Sequence, residues 1–136
     1  MKAAYPTDLG RGIVRYFQEY LPTQRGLSPH TIHSYRDAVV LLLQFAAGDV
    51  HRRIEQLQIA DLSAERVAKF LSFLETARHN GIATRNARLA AIHGFARFLA
   101  AERPEYLGSL QRVLGIPFKR GSAQRSIVAR HAAFPE

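Results

Sequence analysis

The side chains best suited to chemistry lie on one predicted helix, residues 82–101. Its apolar residues recur with helical spacing and predict a buried stripe: Leu89, Ile92, Phe95, Ala96, Phe98 and Leu99. Thr84 is placed to cap its first turn. Residues 82–101 include no acidic side chain. The other faces of this helix carry Arg85, Asn86, Arg88, His93 and Arg97. A basic face of this kind fits a polyanion, and the competing interpretation is an arginine-rich face that contacts solvent alone.

Two other patterns could carry chemistry. His30 and His33 are three residues apart, as in a helical metal-ligand pair, but the chain has no cysteine and no well-placed carboxylate to complete the site. Tyr106 is the last tyrosine and lies on a predicted apolar helix face, which favours a place in the core over a role as nucleophile. We therefore predict no metal, no cofactor and no catalytic role for Tyr106.

The charge of the chain is uneven. The 136 residues, enough for one domain, include 19 basic and 11 acidic side chains. Residues 81–136 hold 9 of the basic but only 3 of the acidic residues. This imbalance gives the second half of the chain the stronger attraction for a polyanion such as nucleic acid.

Membrane and secretory classes are not indicated. The longest apolar run, residues 38–43, is far shorter than the roughly 20 residues that span a bilayer. The N-terminal sequence lacks the apolar centre of a secretory signal. We expect a cytoplasmic protein that does not contact membranes.

The hydrophobic pattern predicts an all-α protein, a small bundle of four long helices and a short fifth helix. Ser28-Pro29 and Ser63 are the expected starts of the second and third helices. The expected ends are Pro22 and Gly26 for the first helix, Gly48 for the second and Asn80-Gly81 for the third. Val40 and Leu41 lie opposite the apolar stripe of the second helix, which predicts that something covers them.

Three regions follow from this pattern. Residues 1–8 are expected to be a flexible N-terminus, and residues 9–115 the helical domain. Residues 116–136 show no sustained period, and Lys119 and Arg120 begin their basic stretch. We interpret residues 116–136 as a basic linker or arm.

Three motifs occur in order along the chain. They are Ser28-Pro29-x-Thr31-x-x-x-Tyr35 followed by Phe45; Ile59-x-x-Leu62 before Phe70-Leu71; and Thr84-x-Asn86-x-x-Leu89-x-Ala91-Ile92-x-x-Phe95 with Leu99. Together they resemble the N-terminal core-binding domain of tyrosine recombinases, the phage-integrase family, which has a SAM-like fold. The resemblance runs from about Leu9 to Arg120.

The resemblance implies a DNA-binding domain for integration and recombination, forming half of a clamp around duplex DNA. The second and fourth helices would cross the major groove, at positions matching Thr31, His33, Ser34, Thr84, Asn86, Arg88 and His93. With Arg85, Arg97 and the arm residues Lys119 and Arg120, these form the expected DNA-binding set. A histidine beside a phosphate favours its charged form, so binding through His93 would strengthen below a pH of about 6.5.

The resemblance also implies what the chain lacks. The family's catalytic domain carries the nucleophilic tyrosine and its activating residues, and this chain stops in what looks like the interdomain linker. We therefore expect no catalysis by this chain alone, a catalytic domain as its missing partner, and a monomer without DNA. Two alternatives stay open: a stand-alone helical DNA-binding regulator and a helical protein-interaction module. Roughly fourteen residues between the second and third helices argue against a compact helix-turn-helix.

Overall fold

The structure, a computed structural model, describes residues 6–120, with the backbone alone at residues 24 and 25. This part of the chain is all-α, as predicted, and contains no strand. Its helices are α1 (Asp8–Val14, continuing as a π-helical segment Arg15–Arg25), α2 (Pro29–Val50), α3 (Ala64–Thr76), α4 (Ile82–Glu102) and α5 (Leu107–Leu114). Short 3₁₀ turns occur at Ile54–Gln56, Ile59–Asp61 and Pro104–Tyr106.

The serine caps confirm two predicted helix starts. Ser28 Oγ accepts a hydrogen bond from the backbone N–H of Thr31 at 3.2 Å, with Pro29 in the first turn of α2. Ser63 Oγ accepts one from Arg66 N–H at 3.1 Å and begins α3. Each serine satisfies a first-turn donor that the helix itself leaves unpaired. Gly26, at φ 63°, adopts the left-handed conformation that ends the first helical stretch as predicted.

Several predicted boundaries are wrong. The first helical stretch passes through Pro22, and α2 continues past Gly48 to Val50, followed by His51 as its C-cap at φ 58°. Val50 packs against the core, so burial carries α2 beyond the glycine. Likewise, α3 ends at Thr76, before the predicted Asn80-Gly81.

Thr84 does not cap α4. The cap position is Gly81, and α4 begins at Ile82, so Thr84 lies inside the first turn.

The core is built around α4, which packs against α2, α3 and α5. Its predicted stripe is buried, and the ring of Tyr16 lies 5.1 Å from the rings of both Phe95 and Phe98. The predicted cover over the far side of α2 is only partial: Leu41 packs against the core, whereas Val40 remains 41% exposed.

Asp8, at the start of α1, hydrogen-bonds to the connector before α3 and to the turn before α5. Its carboxylate accepts hydrogen bonds from the N–H of Ile59 at 3.0 Å and from the hydroxyl of Tyr106 at 2.6 Å. Burial alone would raise the pKa of Asp8, but the hydrogen bonds from Tyr106, Ile59 and Leu9 and the charge of Arg103 together lower it. Structure therefore begins inside the segment predicted to be flexible, while residues 1–5 and 121–136 lie outside the described residues.

We expect Leu89→Ala to cost about 2–5 kcal/mol of unfolding free energy, because Leu89 is 0% exposed and truncation leaves a cavity. Leu107→Ala is the matched control, since Leu107 is 44% exposed, and it should cost less than about 1 kcal/mol. Urea unfolding followed by circular dichroism measures both. Equal losses in the two variants would contradict this assignment of the core.

Candidate nucleic-acid interface

A surface groove of ≈350 Å³ runs between the N-terminal halves of α2 and α4. Three predicted site residues meet there: Ser34 from α2, and Thr84 and Arg88 from α4. Helix geometry explains this grouping, because residues three and four apart share one helix face. The groove is completed by Asp37, Ala83 and Ala87.

The α4 wall of the groove carries positive potential. Gly81 makes no side-chain cap hydrogen bond, so no side chain at that position satisfies the first-turn N–H groups beside Thr84. The helix dipole adds partial positive charge at this end. Arg88 is half-buried, and its Nε is buried with no hydrogen-bond partner among residues 6–120. This wall can therefore hold an anion.

The α2 wall is more mixed. Asp37 is 56% exposed, and His33 Nε2 lies 3.7 Å from its Oδ2. Thr31 belongs to the cap of α2, where its hydroxyl accepts a hydrogen bond from Ser28 Oγ at 3.1 Å. Sequence reasoning did not include Asp37 in the site, although its position three residues after Ser34 indicates the same face.

Three residues of the predicted set lie elsewhere. Arg85, Asn86 and His93 are only 7%, 0% and 6% exposed, so the expectation that they occupy a solvent-facing side of the helix is wrong. The physical reason is the segment that follows α5, which lies against this side of α4. Arg85 Nη1 donates to Pro117 O at 3.2 Å, and Asn86 Nδ2 donates to Lys119 O at 2.8 Å. Burial lowers the pKa of Arg85, and the charge of Glu75 partly opposes this.

His93 is a neutral, buried side chain at pH 7. Burial lowers its pKa to about 4, and the charges of Arg97 and Arg85 act in the same direction, while hydrogen bonds with the backbone of Val113 and Ile116 oppose them. The ring contacts the edge of Phe118 at a centroid distance of 5.4 Å. The expectation that His93 gains charge near pH 6.5 is therefore wrong, because charging it inside the domain is unfavourable.

The remaining basic residues of the predicted set lie outside the groove lining. Arg97 is exposed on α4, about 13 Å along the helix from Arg88. Lys119 Nζ forms an ion pair with Glu75 of α3 at 2.9 Å. Arg120 is exposed and is the last described residue. The structure thus brings together only part of the predicted set.

Other kinds of site have less support. Within residues 6–120, no three histidine, aspartate or glutamate side chains are grouped as a metal ion would require. The helices of this described part are all too short or too polar to cross a bilayer.

Comparison with known proteins gives a family match and two close relatives. The family described as phage integrase, N-terminal SAM-like domain, matches residues 14–103. Two Sinorhizobium fredii (strain NBRC 101917 / NGR234) proteins named as candidate integrase/recombinases, y4rD and y4rC, are 46% and 42% identical to this chain over 105 residues. These residues are 77% of this chain but only 37% and 32% of the two relatives. The chain thus spans about a third of their length. No solved structure gives a significant match.

We expect acid to destabilise the domain through His93. An unfolded histidine takes up a proton near pH 6.5, whereas the folded pKa is about 4, so stability is present above pH 6.5 and falls as the pH is lowered towards 4. The loss over this interval should be about 3 kcal/mol. Urea unfolding at successive pH values measures it.

His93→Gln should remove most of this slope, even if it lowers stability at every pH. His33→Gln is the control, because the side chain of His33 is 70% exposed, and it should keep the slope. A parent protein with constant stability between pH 6.5 and 4.5 would show that His93 is not held neutral.

Proposed function

The chain belongs to the phage-integrase family through its N-terminal SAM-like domain, and from this membership we propose that it is the DNA-binding domain of a site-specific recombinase. It grips duplex DNA during DNA integration and recombination. Its partners are double-stranded DNA and a recombinase catalytic domain, and it is a monomer when no DNA is bound.

The observation that carries this proposal is the groove between α2 and α4. Its α4 wall combines Arg88 with the first turn of the helix, an arrangement suited to a phosphate. Thr84 and Ser34 add hydroxyl groups that can donate to phosphate or to base edges. The DNA backbone therefore lies along this groove, with the exposed edges of both helices towards the duplex.

The proposed contact set is smaller than the one expected from sequence. It keeps Thr84, Arg88 and Ser34 at the centre, with Thr31 and His33 at the α2 edge. Arg97 and Arg120 contribute at the periphery, and Lys119 joins them only if it leaves Glu75. Arg85, Asn86 and His93 are excluded because their side chains are buried.

We further propose that this chain binds DNA without cutting it. The chain matches only 37% and 32% of the two relatives, and we place the bond-breaking groups of a recombinase in the part that it does not match. Tyr106 supports this division, because its hydroxyl donates to Asp8, and that hydrogen bond raises the pKa of Tyr106. A raised pKa leaves less of the phenolate that would attack phosphorus.

Salt dependence tests the proposed interface. With two or three phosphates neutralised, the slope of log affinity against log salt should lie between about −2 and −3. Arg88→Ala should weaken binding and flatten the slope by about one unit, because one counterion fewer is released. Fluorescence anisotropy with a labelled short duplex at several salt concentrations measures the slope.

Arg53→Ala is the matched control. It removes the same charge from the connector after α2, where Arg53 pairs with Glu55 at 3.1 Å, and it should keep the parent slope. If Arg53→Ala and Arg88→Ala change the slope equally, only net charge matters and the groove is not the interface. A slope of zero for the parent chain would overturn DNA binding itself.

Asp37 provides a second test. Its carboxylate lines the groove and repels phosphate, so Asp37→Asn should strengthen binding to duplex of arbitrary sequence by about two- to fivefold at low salt. Glu55→Gln removes the same charge in the connector after α2, whose C-terminal end is about 20 Å along the helix from Asp37, and should change affinity less. The same anisotropy titration compares them. Equal gains would count against phosphate in this groove.

A further inference from the structure

The segment after α5, residues 116–120, runs back along α4. The amide side chain of Asn86 holds it there by two hydrogen bonds, and we call these contacts the fastening. Asn86 Nδ2 donates to Lys119 O at 2.8 Å, and Lys119 N–H donates to Asn86 Oδ1 at 3.0 Å. Asn86 therefore bonds both backbone groups of a single residue, as a neighbouring strand would. Because Asn86 is 0% exposed, water does not compete for these hydrogen bonds.

Further contacts hold the same segment on both sides. Arg85 Nη1 donates to Pro117 O at 3.2 Å and to Asn86 Oδ1 at 3.0 Å, which orients the asparagine. The half-buried ring of Phe118 packs edge-on to His93. Lys119 Nζ reaches Glu75 on α3 at 2.9 Å. Residues 117–119 are thus joined to two helices although they form no helix themselves.

The fastening lies on the side of α4 opposite the groove. Asn86 is two residues from both Thr84 and Arg88, so at about 100° per residue it lies about 160° around the helix from each of them. One rigid helix therefore carries the proposed DNA groove on one side and the outgoing chain on the other. The two features cannot move independently without a shift of the core helix.

We propose that Asn86 is a positioning residue that makes the chain leave the domain at a fixed point and direction relative to the α2/α4 groove. Whatever follows residue 120, in this chain or in the longer relatives, then starts from a set position. This fixed point and direction, which we call the fixed exit, follows from the contacts alone. Only the further idea that it orients a following domain on DNA rests on the proposed function. Without the fastening, five residues of free chain would spread the position of residue 120 over about 12 Å.

Pulsed electron paramagnetic resonance tests the fixed exit directly. The chain has no native cysteine, so Arg120→Cys and Gln44→Cys, both at exposed sites, give a unique pair of spin labels. Lys119→Pro in this background removes the N–H that donates to Asn86. Lys119→Ala is the matched control, because it removes the same side chain and its Glu75 pair but keeps that N–H.

We expect a narrow label–label distance distribution for the parent and for Lys119→Ala, and a distribution broadened by on the order of 10 Å for Lys119→Pro. Lys119→Pro should melt at a lower temperature than Lys119→Ala, because it removes a hydrogen bond to the buried Asn86. Its helical signal and DNA affinity should stay close to those of Lys119→Ala, which separates positioning of the chain from loss of the fold.

Three results of the distance measurement would overturn the proposal. They are a broad distribution in the parent, a narrow one in Lys119→Pro, and equal broadening by Lys119→Ala, which would assign the fastening to Glu75. Loss of helical signal in Lys119→Pro would also overturn it, by showing that the segment is part of the core. Failure of the unsubstituted chain to bind DNA would refute the proposed function and leave the fixed exit standing.

Discussion

The burial of α4 at the centre of the helices is the constraint on which the rest of the structure depends. Ten of its 21 residues are buried, and three of those ten are Arg85, Asn86 and His93. A buried polar group without a partner costs about 1–3 kcal/mol, so a central helix with such residues needs hydrogen-bonding neighbours. The segment after α5 supplies them for Arg85 and Asn86. The same hydrogen bonds therefore satisfy buried polar groups at the centre of the fold and set the direction in which the chain leaves it.

The same constraint shapes the candidate interface. A helix packed against α2, α3 and α5 cannot slide or tilt without disturbing close-packed side chains. Thr84 and Arg88 project from this fixed backbone, so little conformational freedom of the wall is lost when a ligand binds. The opposite wall belongs to the first half of α2, where burial is lower and Asp37 and His33 are exposed. The groove thus pairs a rigid cationic wall with a more exposed wall that contains an acid.

Features set by neighbours in the sequence could be predicted. Ser28 and Ser63 cap their helices through residues three positions away, and the apolar stripe of α4 shows in its own spacing. The burial of Asn86 could not be predicted in this way, because its partner Lys119 is 33 residues distant and lies in a segment without any period. Periodicity separates apolar from polar positions, but it does not distinguish a polar side chain paired with distant backbone from one in solvent.

Asp8 and Tyr106 are 98 residues apart in the chain, and their hydrogen bond has a consequence for the order of folding. Local helices form within microseconds, whereas a contact at this separation must wait for most of the chain to be arranged. During synthesis from the N-terminus, α1 emerges before α2 to α5, but its hydrogen bond to residue 106 can form only after nearly the whole described domain has left the ribosome. Until α4 is made, Tyr16, almost fully buried in the finished domain, lacks the rings of Phe95 and Phe98 against which it packs and is exposed to chaperones and proteases. α1 is thus made before the other described helices but is among the last of them to gain its final contacts.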